Sequence, residues 1–370
     1  MLNQKSLNEG LIQAFIRLIA KQFGLEIRER DKTALIEKVL LRMKALKLDF
    51  PEAYYQLLNA STPESHEEWK KLAILLTNIE SYFFRDKDQF NLLKNHILPE
   101  LIQRKQHNKT IRICSAGCSS GEEPYSIAIL LKELLPDLEQ WNLMILGIDV
   151  NQDILQKAKI GIYRPWSFRR VDVEIVQRYF QVINHQYQLN SAIKQMVNFQ
   201  SVNLVKDVFP SQDSELREFD LIICRNVFIY FDPLAIANVL NKFYNALQPE
   251  GYLITGHAEL YGQNLSQFQT KVFPESVVYQ RLADSVSDSP RATLTSEKTY
   301  IAVDNLSWEL NNDDLVSTLE KSNIKMQQTA LNLLKQLPPE TKIPKLGNLT
   351  AAELILQVET ALNAINSTSQ

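Results

Sequence analysis

From about residue 110 the chain alternates short apolar runs with helix-forming stretches, and this alternation restricts its fold more than any other feature. Ile111 to Ser115 reads as a first strand, followed by a helix over Ser119 to Leu135. Leu143 to Ile148 reads as a second strand ending at Asp149, with Asp153 to Lys159 helical. Val197 to Val202 is a third. Phe219 to Cys224 is a fourth, an unbroken apolar run of the kind a parallel strand carries when both its faces are covered. Asp232-Pro233 then opens a helix, with Asp as N-cap and Pro at the first helical position. Gly251 to Gly256 and Val277 to Arg281 complete the sheet. The pattern predicts a doubly wound α/β fold without internal repeats.

The flanking regions differ. Residues 1–75 read as an all-α N-terminal domain: Leu11, Phe15, Leu18, Ile19 and Gln22 keep helical spacing, as do Leu35, Val39, Met43 and Leu46. Phe50-Pro51 breaks the pattern, and two shorter helices are expected after it. Residues 76–283 form the α/β domain. Within it, Arg164 to Met196 is longer than a simple crossover and contains strand-like pieces at Tyr179 to Ile183 and Tyr187 to Leu189, so it reads as an inserted β-subdomain. Residues 284–298 have a linker's composition. Residues 299–370 read as two helices split by the Pro-rich Leu337 to Leu346. Thr350 to Glu353 forms a capping box, and Leu354, Val358, Leu362 and Ile365 form an apolar stripe on the last helix.

Composition excludes several classes. A net charge of −3 gives no support for a nucleic-acid enzyme. Three cysteines without a signal peptide point to a reducing compartment, so the expected location is the cytoplasm. Met1 to Leu25 reads as an amphipathic helix, and no apolar run approaches the roughly 18 residues of a membrane span. Cys114 and Cys118 fall on a strand and a turn with no clustered His, so no metal site is expected. The charges between Glu26 and Lys44 alternate in sign, as on a solvated helical face.

The stretch Arg112-Ile-Cys-Ser-Ala-Gly-Cys-Ser-Ser-Gly-Glu-Glu-Pro-Tyr-Ser126 sits at the first strand-to-helix turn. Gly117 and Gly121 let backbone approach a ligand closely there, as a nucleotide-like cofactor requires. The spacing is not that of the dinucleotide fingerprint. The competing reading is a plain turn in which Ser120 and Glu123 form a capping box. Asp149, at the end of the second strand, is placed to accept hydrogen bonds from ribose hydroxyls. Its competing role is a helix cap.

Glu80-Ser-Tyr-Phe-Phe-Arg-Asp86, Ser115 to Ser126, Gly147-Ile-Asp149, Cys224-Arg-Asn-Val-Phe-Ile-Tyr-Phe-Asp232 and Gly256-His-Ala-Glu259 occur in that order. The set resembles the chemotaxis receptor glutamate O-methyltransferases, the CheR family, over residues 1 to about 283. The resemblance implies an all-α N-terminal domain followed by a Rossmann-like S-adenosylmethionine-dependent methyltransferase domain. It implies action on a chemotaxis-type receptor, with S-adenosylhomocysteine as product; a monomer is the expected state, although no residue pattern determines it. The resemblance places Ser81, Arg85, Gly117, Glu122, Glu123, Asp149, Asn203, Leu204, Arg225 and Asn226 at the cofactor. Glu123 is the surer of the two adjacent carboxylates, Asp149 takes the ribose, and Asn203 and Leu204 lie beside the adenine. Arg85 and Tyr230 are the catalytic pair, and the inserted subdomain meets the receptor. Ser81 stands where Thr is commoner, and Ala258 where Ser is frequent. The tail after residue 283 is not covered.

The chemistry suits these residues independently. A glutamate carboxyl ordinarily titrates near pH ~4.3, so it is already ionised at neutrality and needs no general base. The enzyme's task is alignment and exclusion of water, and a guanidinium such as Arg85 holds a carboxylate in a fixed orientation. Two rival readings are a nucleic-acid methyltransferase and a non-catalytic cofactor-binding adaptor. Amino-group methylases carry an Asn/Asp-Pro-Pro-aromatic turn after the fourth strand, where this chain has Arg225-Asn-Val-Phe. The presence of Arg85 and Tyr230 argues against the adaptor.

Overall fold

The computed structural model describes residues 7–211 and 214–282 and scattered positions between 331 and 359. The chain divides into two compact units, Met1–Ala283 and Asp284–Gln370. The expected linker 284–298 and the stripe Leu354, Val358, Leu362 and Ile365 lie outside the described residues.

The first unit begins with four helices: α1 (Glu9–Phe23), α2 (Lys32–Ala45), α3 (Pro51–Asn59) and α4 (Pro63–Leu76). Asn8 caps α1, accepting from the Leu11 amide at 2.8 Å. Pro51 and Pro63 each occupy a first turn, so they open helices. The expectation of two shorter helices holds for α3 only, because α4 matches α2 at 14 residues. Phe15, Ile19, Val39, Tyr54, Leu58 and Leu72 form this layer's core. Within it the buried Glu68 takes two bonds from Arg42 and one from the Tyr54 hydroxyl, all at 2.8 Å.

The segment 77–86 leads into α5 (Lys87–Leu92), a π-helical turn (Leu93–Ile97) and α6 (Leu98–Arg104). The α/β part follows as β1 (Thr110–Ala116), α7 (Glu122–Leu134), β2 (Asn142–Asp149) and α8 (Gln152–Ile160). The insertion contains β3 (Ile162–Tyr163), α9 (Val173–Tyr179), β4 (Phe180–Ile183), β5 (Gln186–Leu189) and α10 (Ser191–Lys194). The chain then returns through β6 (Val197–Ser201), β7 (Phe219–Cys224), α11 (Pro233–Ala246), β8 (Leu247–Thr255), β9 (Phe268–Val272) and β10 (Val277–Arg281).

The main sheet has the order β6-β2-β1-β7-β8-β10-β9, parallel as far as β8, with β10 and β9 antiparallel. Strand β7 is buried along its whole length. Leu221 and Ile223 enter one core and Ile222 and Cys224 the other, the period of two that a sheet covered on both faces demands. β1 lies between β2 and β7, so the sheet reverses direction of growth there and leaves a crevice at the strands' carboxyl ends. β9 has no counterpart among the expected strands. It is an edge strand whose residues after Phe268 are largely solvent-facing, so it lacks an apolar signature. Helix α7 starts three residues later than the sequence suggests, because Gly121 is left-handed (φ 89°) and no side chain caps it.

The insertion forms a three-stranded antiparallel sheet in the order β3-β5-β4, beginning at Ile162, ahead of the expected Arg164. Phe83 joins it to the 77–86 segment, with its ring 5.1 Å from that of Phe168 and 4.8 Å from that of Tyr163. In the second unit, β11 (Lys342–Ile343) pairs antiparallel with β12 (Leu349–Thr350). The Pro-rich stretch thus contributes a strand, and Thr350 ends another, while Glu353 lies outside the described residues. Among the described residues no helix is long and apolar enough to cross a membrane.

Candidate active site

A cavity of about 180 Å³ opens at the carboxyl ends of β1, β2 and β7. Its floor is backbone. Gly117 has φ 71°, and a Cβ there would stand 2.3 Å from Val227 Cγ2, so only glycine lets the two turns approach. Asp149 is fixed by two amides: Ser119 N donates to Oδ2 and Asn151 N to Oδ1, both at 2.9 Å. Burial pushes its carboxyl up, and these amides oppose that shift. The Val150 amide also acts on it, and a carboxylate offers about four acceptor positions, so acceptor capacity remains for a ligand.

The structure separates the two neighbouring glutamates. Glu122 is buried and accepts from Ser120 Oγ at 2.7 Å and Ser167 Oγ at 3.1 Å, tying α7 to the insertion. It does not line the cavity, unlike the other residues expected at the cofactor. The first helical turn points successive side chains about 100° apart, so the two adjacent glutamates take different directions. Glu123 lines the cavity, accepting from Ser115 Oγ at 2.8 Å and Arg225 Nη1 at 3.1 Å. The capping box between Ser120 and Glu123 does not form. Arg225 also donates to the Arg85 carbonyl at 2.5 Å, so it links α7, the loop after β7 and the 77–86 segment.

Ser81, Arg85, Asn203, Leu204, Asn226 and Tyr230 all line the cavity. Arg85 donates to the Glu80 carbonyl at 2.9 Å, leaving most of its five N–H groups for a ligand. The Tyr230 hydroxyl accepts from Asn78 Nδ2 at 2.8 Å. Asn203 lines the cavity with its polar atoms already engaged: Nδ2 donates to the Gln22 carbonyl, and Oδ1 accepts from Val205 N and Lys206 N.

The opposite wall comes from the helical layer, through Phe23, Leu25, Leu76, Thr77 and Asn78. Gly24 ends α1 in a left-handed conformation beside Ala235 and Val205. Its carbonyl accepts from Asp232 N at 2.8 Å, and Glu26 N donates to the Tyr230 carbonyl at 2.8 Å. Sequence reasoning missed Asn78, Tyr82, Ser119 and this helical wall. Adjacency to Ser81 and Gly117 was the only available signal. No group of three or more metal-binding side chains occurs among the described residues.

The family model described as "CheR methyltransferase, SAM binding domain" matches residues 79–277. Curated relatives include a chemotaxis protein methyltransferase of Borreliella burgdorferi, 35% identical over 67% of this chain and 87% of that protein. Chemotaxis protein methyltransferase 2 of Vibrio cholerae is 35% identical over 70% of this chain and 89% of its own length. The cradle fits the cofactor named by the family: backbone exposed to the cavity at Gly117, a carboxylate at the end of β2, and apolar side chains around Leu204. The cavity is lined by the S-adenosylmethionine-binding domain on one side and by the N-terminal helical layer on the other, and the chain belongs to the CheR methyltransferase family.

Proposed function

We propose that this chain forms γ-carboxyl methyl esters on glutamate side chains of chemotaxis-type receptors. The observation that carries the reading is the presence of Arg85 and Tyr230 on the lining of one cavity whose walls, among the described residues, contain no histidine to act as a base. When bound, S-adenosylmethionine supplies a methyl carbon on a positively charged sulfur. Asp149 takes the ribose hydroxyls on its remaining acceptor positions. Leu204, Phe23 and Leu25 cover the adenine, while Glu123 and Arg225 supply opposite charges for the amino-acid end. Arg85 holds the substrate carboxylate by its planar fork, and the Tyr230 hydroxyl directs one of its oxygens. The carboxylate is already ionised, so these residues orient it and exclude water without moving a proton.

The receptor is the partner that suits the insertion. β4 is an edge strand with Val182 62% exposed, and an open edge accepts an added peptide strand through backbone hydrogen bonds. Tritiated methyl transfer to receptor-containing membranes, followed by base-labile release of methanol, tests the reaction. Arg85→Lys is expected to lower turnover on the order of tenfold or more while cofactor affinity changes less, because lysine lacks the planar fork. Base-stable label, or a lysine variant with wild-type turnover, would refute the reading.

A further inference from the structure

The turn after β8, Gly256-His257-Ala258-Glu259, touches both segments that carry the reacting-end residues. We propose that this turn is a positioning element that sets Arg85 and Tyr230 relative to each other, with His257 gripping one segment and Glu259 backing the other. The proposal rests on the carboxyl-methylation reading, since it gives the turn its purpose.

On the Arg85 side, His257 Nε2 lies 2.7 Å from Asp86 Oδ2. Asp86 directly follows Arg85 and has φ 66°, and Phe84 directly precedes it with φ 52°. Arg85 therefore sits between two non-glycine residues in left-handed conformations, which persist only where surroundings hold them. Among the contacts that do so, Ser126 Oγ takes the Phe84 amide at 3.0 Å, Arg225 takes the Arg85 carbonyl, and His257 takes the Asp86 carboxylate. Of these three, His257 is the contact that comes from the turn after β8.

On the Tyr230 side, Glu259 is 8% exposed and its side chain folds back over its own turn. Oε2 accepts from Gly256 N at 2.8 Å, and a Cβ on residue 256 would stand 2.7 Å from Glu259 Cδ. The fold-back therefore requires glycine at 256, and Ala258 completes the reversal at φ 61°. Burial pushes the Glu259 carboxyl up to about 7, opposed by the backbone amides of Gly256, Ile229 and Asn226 and by Arg225. Asn226 and Ile229 belong to the loop that presents Tyr230, and Asn226 is itself left-handed at φ 59°. Glu259 Oε1 is buried and makes no hydrogen bond of its own among the described residues, so the carboxylate backs that loop by close packing against the Asn226 and Ile229 amides, while His257, two residues earlier in the same turn, bonds the other segment.

The test uses the full-length protein with His257→Ala, His257→Gln and Glu259→Gln. Turnover in receptor methylation is expected to fall at least tenfold in His257→Ala and Glu259→Gln, with the calorimetric cofactor Kd within threefold of wild type. His257→Gln should recover most of the loss, because its amide can still donate to Asp86. Hydrogen exchange on the cofactor-bound protein should quicken at residues 81–86 in His257→Ala and at residues 226–230 in Glu259→Gln. Unchanged exchange at both segments, or a loss confined to cofactor affinity, would overturn the proposal. If wild-type protein binds cofactor but methylates no receptor, the functional reading fails, and the exchange measurement alone decides the role of the turn.

Discussion

The cavity's two walls are made differently. The α/β wall is fixed by conformations that few residues can adopt: Gly117 and Gly121 at φ 71° and 89°, Ser119 at φ 50°, and Asp149 held by two amides. The helical wall is held by separate single bonds, such as Glu26 to the Tyr230 carbonyl, Asn78 to the Tyr230 hydroxyl, and Asn151 Nδ2 to Thr77 Oγ1 at 3.0 Å. One wall fails all at once if its backbone changes. The other can lose one contact and keep the rest. The first therefore defines what cofactor fits, and the second adjusts how firmly it is covered.

Three substitutions probe that contrast. Gly117→Ala should have the largest effect. It forces a left-handed alanine against Val227, and strain and overpacking together cost about 3 kcal/mol or more. Denaturant unfolding and cofactor titration should both register this, and near-normal cofactor binding would mean that the floor yields. Asp149→Ala should weaken cofactor affinity by about 2–3 kcal/mol through loss of charge-assisted hydrogen bonds. Unchanged affinity in calorimetry would reassign Asp149 to holding the Ser119 and Asn151 amides alone. Thr77→Val should cost least, about 1 kcal/mol of stability, with cofactor affinity shifting only a fewfold. A loss as large as that of Asp149→Ala would erase the distinction between the walls.

The same contrast explains what the sequence reveals. β7, Gly117, Asp149 and the Asp232-Pro233 helix start are legible because local chemistry dictates them: an all-apolar run, a turn that excludes Cβ, a strand-end carboxylate and a cap. Residues that depend on direction are not. Glu122 and Glu123 are adjacent and alike, and only the phase of α7 sends one to Ser167 and the other to Arg225. Asn203 sits where expected, yet its amide is committed to α1, a partner 181 positions away in sequence. β9 hides because an edge strand has one face to bury and no need for a continuous apolar run. Asn78 and the Gly24–Glu26 segment contribute through packing between layers, which no local pattern encodes.

The three cysteines give the crevice a built-in reporter. Cys114 is on β1, Cys118 in the turn beside Gly117, and Cys224 at the end of β7, and all are free and buried. Burial pushes each thiol up, with nearby carboxylates adding to the shift. The reactive thiolate is therefore scarce; Cys118 lines the cavity, while Cys114 and Cys224 are sealed within the sheet and meet a reagent only when the strands' carboxyl ends part. The rate at which the native protein is alkylated at these two thus measures how often its centre opens, and a ligand that closes the crevice should slow that clock without touching sulfur.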